Sequence, residues 1–219
     1  MQTVPNTDLI EFENWTLRIR KTDHPSPRLL LMLHGFTGDE NSMWVFARDL
    51  PTHYWIVAPR APHITEPSGY SWRPLQVGTF GRPSLEQLRP AAEALIRLVD
   101  AYQLSAKIEA DVFDVMGFSQ GGAMSNLLTF LYSERIRKTG ILAGFVPSGL
   151  DELVTKRPLA GKPFFVAHGT KDETVPVDRA RASIEILEQA GAQVTYCEDE
   201  VGHKVSLSCL RALKDFLGE

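Results

Sequence analysis

The sequence predicts an α/β fold, with a mostly parallel central sheet and helices on both of its faces. Short apolar runs of strand length alternate with longer segments of helical period along the 219 residues, and this alternation is typical of parallel sheets. Several runs are apolar throughout, as strands covered on both faces are. The composition, with 43% hydrophobic and 23% charged residues, fits a globular chain with a substantial core.

The strand pattern starts near the N-terminus, where Leu9–Arg20 predicts one or two strands. Arg28–Leu33 is the clearest case, because RLLLML is apolar from its second residue on. Runs of the same kind follow at Tyr54–Ala58, Val112–Met116, Thr139–Phe145, Pro163–Ala167 and Gln193–Cys197. Parallel sheets bind ligands at the carboxyl ends of their strands, so we expect site residues in the loops that follow these runs.

The first predicted helix has one apolar face, formed by Leu88, Ala92, Leu95, Val99 and Tyr102. Ser84 and Gln87 match a capping box, which would start the helix directly after Ser84. Pro90 would then lie inside the helix, where proline is disfavoured. We therefore expect Pro90 to be the first residue of the main helix.

Two more helices are predicted in the C-terminal part of the chain. One carries an apolar stripe over 177–187, opened by Pro176 and closed by Gly191. The other is Lys204–Leu217. The segment Val146–Lys162 is too short for a cap domain, and no repeat, linker or low-complexity tract divides the chain. We expect one domain, residues 1–219, without a cap.

Charge and hydropathy exclude several classes of protein. The net charge is −4, so the chain has no basic footprint for nucleic acid. The N-terminal segment lacks the basic start and apolar core of a signal peptide, and no apolar run approaches the ~18 residues of a membrane span. The sequence therefore predicts a cytoplasmic protein without integral membrane association. The oligomeric state stays open, a homodimer included.

The two cysteines, Cys197 and Cys209, have no partners at zinc-type spacing. We expect both to be reduced and to serve as small core residues, as free cysteines in cytosolic proteins do. Their spacing leaves a disulfide open. The sequence implies neither a metal nor a cofactor.

The segment Gly117–Gly121, GFSQG, is a G-x-S-x-G pattern between a predicted strand and a predicted helix. A serine on such a sharp turn stands at the carboxyl edge of the sheet, and the glycines avoid clashes with strand and helix. Ser119 is thus a candidate nucleophile. The alternative is a glycine-rich turn whose serine only caps the following helix.

A serine nucleophile needs a base, and the base needs an orienting acid. After this kind of turn the chain order is serine, acid, histidine. Only His168 and His203 follow Ser119. His203 lies after the last predicted strand and is the predicted base, whereas His168 ends a strand and is expected to support the loop of the acid.

Asp172 is the predicted acid, because it follows the strand before that of His203 by a short loop. The competing carboxylates are Glu173, Asp178 and Asp151.

Charge that develops on an acyl oxygen is stabilised by backbone N–H donors, the oxyanion hole. The first predicted donor is Gln120, the residue after the nucleophile. The second is Phe36, because HGFTG at 34–38 follows an early strand and its glycines permit close approach of the backbone. The side chain of His34 is expected to be structural, held by hydrogen bonds at the end of the strand.

These motifs resemble those of the phospholipase/carboxylesterase family of α/β-hydrolases, which includes acyl-protein thioesterases. The resemblance extends from about Leu31 to His203 and rests on LHGFTGDE, APRAP, GYSW, GFSQGGAMS, HGTKDETVP and VGHKVS. It implies a catalytic triad and an oxyanion hole at the residues already named, which are Ser119, Asp172, His203, Phe36 and Gln120.

The motifs also depart from those of the family's thioesterases. Trp72 is followed by Arg73-Pro74, where those enzymes typically have WFD, and HGFTG stands where HGLGD is common. The chain therefore looks nearer to the bacterial esterase branch.

Motifs and resemblance together predict a serine carboxylesterase that hydrolyses short- to medium-chain acyl esters of small molecules through an acyl-enzyme. Alternatives are a lysophospholipase, an acyl-protein thioesterase, a lactonase or dienelactone hydrolase, and a non-catalytic ligand-binding protein. The long irregular loop Arg60–Pro83 is expected to be functional. We predict that its Tyr70, Trp72 and Phe80 line an open acyl groove; the alternative is a surface loop pinned by its own aromatic side chains.

Overall fold

The computed structural model of the protein describes residues 6–75 and 83–219. The strands in these ranges are β1 (Asp8–Phe12), β2 (Trp15–Arg20), β3 (Arg28–Leu33), β4 (Tyr54–Pro59), β5 (His63–Ile64), β6 (Tyr70–Ser71), β7 (Phe113–Phe118), β8 (Ile136–Leu142), β9 (Pro163–Gly169) and β10 (Gln193–Asp199). Eight of them form one sheet in the order β1-β2-β4-β3-β7-β8-β9-β10, and β5 pairs with β6. β1–β2 and β2–β4 are antiparallel, and every pair from β4 to β10 is parallel. The predicted mostly parallel sheet is confirmed.

The helices of the described residues are α1 (Leu85–Ala106), α2 (Gln120–Leu131), α3 (Asp151–Thr155), α4 (Val177–Gln189) and α5 (Leu207–Gly218), with a 3₁₀ helix at Ser42–Phe46. Alternate side chains of a strand point to opposite faces. In β3, Leu29 and Leu31 pack into the core that α1, α2 and α4 cover. Leu30 and Met32 pack into the core beneath α5 and the 3₁₀ helix. Helices thus cover both faces of the sheet, as predicted.

The start of α1 corrects the prediction from Pro90. The helix begins at Leu85, with the capping box formed between Ser84 and Gln87 and with Pro90 inside it. A proline inside a helix costs ~3 kcal/mol. The cap contributes ~1 kcal/mol, and burial of Leu85 and Leu88, which are 5% and 0% exposed, contributes ~1.5–3 kcal/mol for each side chain. The cap and the two buried leucines of the first turn therefore stabilise the helix by more than Pro90 destabilises it.

Several other boundaries also differ from the sequence prediction, and two of these differences have a clear local cause. α5 begins at Leu207 rather than Lys204, because Ser206 caps it and accepts a hydrogen bond from the Cys209 N–H at 3.2 Å. β8 ends at Leu142 rather than Phe145, and Ala143 has a φ of +47° that takes the chain out of the extended conformation. The predicted helix over 177–187 is confirmed as α4.

No helix among the described residues is both long enough and apolar enough to cross a membrane.

Candidate active site

Ser119 lies on a sharp turn between β7 and α2, with φ +53° and ψ −114°. This conformation is strained for a residue with a side chain. A Cβ at Gly117 would lie 2.1 Å from the Gly121 carbonyl oxygen, and a Cβ at Gly121 would lie 2.0 Å from that of Leu33. Both flanking positions therefore require glycine, as the sequence predicts. The Ser119 side chain makes no capping hydrogen bond to α2, so the interpretation of this serine as a helix cap is wrong.

Asp172 and His203 are joined by a direct hydrogen bond. His203 Nδ1 lies 2.6 Å from Asp172 Oδ2. The other carboxylate oxygen accepts hydrogen bonds from the backbone N–H groups of Thr174 (2.9 Å) and Val175 (2.8 Å). These donors fix the carboxylate, so that His203 donates from Nδ1 and keeps the lone pair on Nε2. A neutral histidine in that tautomer can act as a base through Nε2.

The His203 ring also lies next to the Ser119 turn. Its centroid is 4.9 Å from that of Phe118, the residue before Ser119. Phe118 in turn stacks on Phe46 of the 3₁₀ helix, with centroids 5.6 Å apart. The His203 side chain is 23% exposed. The imidazole is therefore held against the turn while remaining accessible from solvent.

His168, the alternative base, lies at the end of β9 and is buried. Its Nε2 donates to the Val175 carbonyl oxygen at 2.8 Å and lies 3.4 Å from Asp172 Oδ2. These contacts support the loop that carries Asp172, which is the role expected from the sequence. Among the competing carboxylates, Asp178 is exposed and pairs with Arg181.

The segment after β3 is held by the His34 side chain. His34 Nε2 accepts a hydrogen bond from the Ala61 N–H at 3.0 Å, and Nδ1 donates to the Gly35 carbonyl oxygen at 2.7 Å. Burial lowers the pKa of His34, which favours the neutral imidazole that this pair of bonds requires. A Cβ at Gly69 (φ +93°) would lie 2.0 Å from the Thr37 carbonyl oxygen. Glycine is therefore needed at this position, where residues 60–75 contact the segment after β3.

A cavity of ≈ 1270 Å³ opens beside the Ser119 turn. Phe36, Ser119 and Gln120 all line it, so the predicted nucleophile and both predicted oxyanion donors face the same space. The other lining residues that the structure describes come mainly from the segment after β8 and from α3 and α4, and include Phe145, Val146, Leu150, Val154, Val175, Arg179 and Ile186. From the sequence, the segment after β8 is predicted only to be too short for a cap domain. Its place after a parallel strand was the signal that marks it as part of the site.

The loop Arg60–Pro83 contributes Arg73, Leu75 and Pro83 to this cavity, but two of the three aromatic side chains predicted to line an acyl groove lie elsewhere. Trp72 is completely buried; its Nε1 donates to the His34 carbonyl oxygen at 2.8 Å, and its backbone N–H donates to Gln120 Oε1 at 3.0 Å. Tyr70 is half-buried, lies against Arg60, and lines a different cavity of ≈ 730 Å³. Phe80 lies outside the described residues. Trp72 therefore anchors its own loop to the rest of the fold, which is the alternative interpretation of this side chain.

The prediction of two reduced cysteines is wrong. Cys197 of β10 and Cys209 of α5 form a disulfide, with Cα atoms 5.7 Å apart. The separation of 12 residues does not show by itself that the chain turns back after β10. The loop that makes this turn brings α5 against the end of β10. This loop carries His203, so the disulfide closes the segment that positions the imidazole.

No group of three or more His, Cys, Asp and Glu side chains that could hold a metal ion occurs in residues 6–75 and 83–219.

The protein has the α/β-hydrolase fold. A carboxylesterase from Mesorhizobium loti superimposes with a TM-score of 0.83 at 21% identity, covering 97% of this chain and 99% of the other. A Bacillus cereus carboxylesterase gives 0.82 at 23% identity, with 94% of each chain covered. At these identities the likeness shows the fold alone.

Within that fold, residues 14–219 match the family model described as Phospholipase/Carboxylesterase, and the chain belongs to this family. Acyl-protein thioesterase 1 of Debaryomyces hansenii is 28% identical, over 80% of this chain and 82% of that protein. Acyl-protein thioesterase 1 of Neurospora crassa is 29% identical, over 87% and 85%. A relative from Oryza sativa, 24% identical over 83% and 80%, is named a probable inactive carboxylesterase.

Proposed function

We propose that the protein is a serine carboxylesterase, hydrolysing short- to medium-chain acyl esters with Ser119 as nucleophile, His203 as base and Asp172 as orienting acid. The observation that carries the proposal is the 2.6 Å bond from His203 Nδ1 to Asp172, made by an imidazole that packs on the residue before Ser119. Membership of the family supports it.

In the acylation half of the reaction, His203 Nε2 takes the proton of Ser119 as Oγ attacks the acyl carbonyl carbon. Asp172 holds the imidazole in the required tautomer and stabilises its charged form. The backbone N–H groups of Phe36 and Gln120 donate to the oxygen on which negative charge develops. The C–O bond to the alcohol then breaks, and His203 gives its proton to the leaving oxygen.

In the second half, water takes the place of the alcohol. His203 removes a proton from the water as its oxygen attacks the acyl-enzyme carbonyl, and the tetrahedral intermediate uses the same two donors. The bond to Ser119 Oγ breaks, His203 returns the proton to the serine, and the carboxylic acid is released.

Replacing the nucleophile tests the proposal. Ser119→Ala should abolish labelling by a fluorophosphonate probe and lower kcat for p-nitrophenyl esters by about 10⁴–10⁶. Ser105→Ala, at an exposed position on α1, is the matched control and should label and turn over as the wild type does. Thermal unfolding of both variants shows whether the fold is kept. A Ser119→Ala protein that retains most of its turnover contradicts the proposal.

The same experiment separates the alternatives. A non-catalytic ligand-binding protein would neither label nor turn over any ester. Lysophospholipase and acyl-protein thioesterase activities use the same side chains and differ only in the leaving group. Rates on an oxygen ester, a thioester and a lysophospholipid that carry the same acyl chain therefore distinguish them. The names of the fungal relatives support including the thioester. Ser119 stands where dienelactone hydrolases generally have cysteine.

We also propose the cytoplasm as the compartment, and the disulfide makes this testable. Thiols in the cytosol are kept reduced. In that compartment the Cys197–Cys209 bond of the structure would be reduced, so alkylation of intact cells before lysis should label both cysteines. A bonded pair, unlabelled until a reductant is added, would contradict the cytoplasmic location and indicate an oxidising compartment.

A further inference from the structure

The cavity beside Ser119 lies on one side of the proposed reaction centre. Its described lining residues include Phe36, Ser119 and Gln120 but not His203. In the proposed function, on which this inference rests, His203 protonates the leaving alcohol, so the alcohol leaves on the side of His203. The cavity on the side of the oxyanion donors therefore receives the acyl chain.

Two arginines lie in the wall of this acyl cavity. Arg73 is 2% exposed, and its Nη1 donates to Gln87 Oε1 at 3.1 Å. Arg179, in the first turn of α4, places its guanidinium carbon 3.5 Å from the centroid of the buried Phe145 ring. The planar guanidinium is the group that proteins most often use to bind a carboxylate in a two-pronged geometry, and it also packs well on aromatic rings.

The charge of the cavity wall favours an anion. The described lining residues comprise two cations, Arg73 and Arg179, and one carboxylate, Asp151, which is exposed at the start of α3. Burial lowers the pKa of Arg73, because removal from water disfavours the charged form of the guanidinium. The remaining wall is largely apolar and suits the methylene chain between an ester carbonyl and such an anion.

We propose that the acyl subsite takes acyl groups that end in a carboxylate, so that the preferred substrates are monoesters of short dicarboxylic acids. Arg179 and Arg73 bind the terminal carboxylate, while Phe36, Val146 and Val175 contact the methylene groups. The two arginines determine specificity; they take no part in proton transfer.

The test compares two esters with the same leaving group. p-Nitrophenyl hydrogen glutarate carries the carboxylate, and p-nitrophenyl 5-methylhexanoate replaces it with a neutral isopropyl group of similar shape. The measured quantity is the ratio of their kcat/KM values on one enzyme preparation, in which the fraction of active protein cancels. Hydrogen bonds to charged groups are worth enough for a preference of about tenfold to a hundredfold for the glutarate.

Arg179→Met should lower this ratio by about tenfold or more. Arg181→Met is the matched control, two residues further along the same helix, on an exposed side chain that pairs with Glu198 outside the cavity; its ratio should stay that of the wild type. Arg73→Lys keeps the charge but loses the two-pronged geometry, and it should lower the ratio less than Arg179→Met.

A wild-type enzyme that hydrolyses the neutral ester as well as the glutarate overturns the subsite and leaves the proposed function intact. An unchanged ratio in both Arg179→Met and Arg73→Lys does the same. Failure to hydrolyse either ester instead contradicts the proposed function. Calorimetric titration of Ser119→Ala with glutarate then tests the subsite by itself: binding that is weakened by Arg179→Met supports it, and absence of binding overturns it.

Discussion

At Asp172, three hydrogen bonds converge on one carboxylate. The two backbone donors from Thr174 and Val175 hold one oxygen, and the other oxygen faces His203 Nδ1. The backbone bonds fix the orientation of the side chain, so the group presented to the imidazole is an acceptor. This residue therefore decides which nitrogen of His203 carries the proton.

Asp172→Asn should disable the proposed base while leaving most of its contacts in place. An amide can keep its oxygen toward the two backbone donors, which turns its NH₂ toward His203 Nδ1. The imidazole proton then moves to Nε2, which can no longer take a proton from Ser119. We expect kcat for p-nitrophenyl esters to fall by about 10⁴, with a smaller change in KM.

The control for this variant is Asp178→Asn, one of the competing carboxylates, which is exposed and paired with Arg181. It should leave kcat unchanged. Loss of activity in Asp178→Asn, combined with near-normal activity in Asp172→Asn, would show that Asp178 and not Asp172 is the acid.

At the scale of elements, the loops that carry Asp172 and His203, the proposed acid and base, are built as one unit. The loop after β9 donates from the Thr170 and Lys171 N–H groups to the carbonyl oxygens of Asp199 and Val201, at 2.9 and 3.0 Å. A Cβ at Gly169 would lie 2.2 Å from the Val201 oxygen, so the contact between the loops depends on that glycine. The disulfide from β10 to α5 closes the base loop from its other side.

Removing the disulfide should affect stability more than catalysis. The bond closes a loop of 12 residues, for which the chain-entropy model gives a contribution of about 3 kcal/mol. We expect Cys197→Ala/Cys209→Ala to lower the free energy of unfolding in urea by about that amount. The fall in kcat should be far smaller than for Asp172→Asn, because the hydrogen bonds between the loops remain.

Dithiothreitol provides the control for the disulfide. It should reproduce both effects in the wild type and change nothing in the double variant. A double variant as stable as the oxidised wild type would show that the bond does not stabilise the base loop.

The whole molecule shows which features can be predicted from local sequence. The apolar run of β3 is confirmed as a strand because its burial follows from the residues themselves. The segments after β3, β7, β8 and β9 line the cavity, which agrees with ligand binding at the carboxyl ends of parallel strands. The disulfide and the burial of Trp72 depend on where distant segments meet in space. The start of α1 depends on the balance between a proline and the burial of two leucines. The roles of Ser119 and His203 stay predictions that the geometry supports.

Protonation of one buried and two half-buried histidines should make the whole fold less stable in mild acid. Burial lowers the pKa values of His34, His53 and His63 below the usual 6.5, so the unfolded chain binds protons at these sites at a higher pH than the folded one does. The free energy of unfolding therefore falls as pH decreases below about 6.5, until the lowered pKa values are passed.

His34 should contribute most to this loss, because it is 1% exposed and its neutral Nε2 accepts the Ala61 N–H. Its share of the slope reaches at most about 1.4 kcal/mol per pH unit. Urea unfolding at pH 7, 6 and 5 should give a clearly shallower slope for His34→Gln than for the wild type, and an intermediate slope for His63→Gln. Each comparison uses the slope and not the stability at one pH, so any packing defect of the variants cancels. Equal slopes in all three proteins would show that His34 is not the origin of the acid sensitivity.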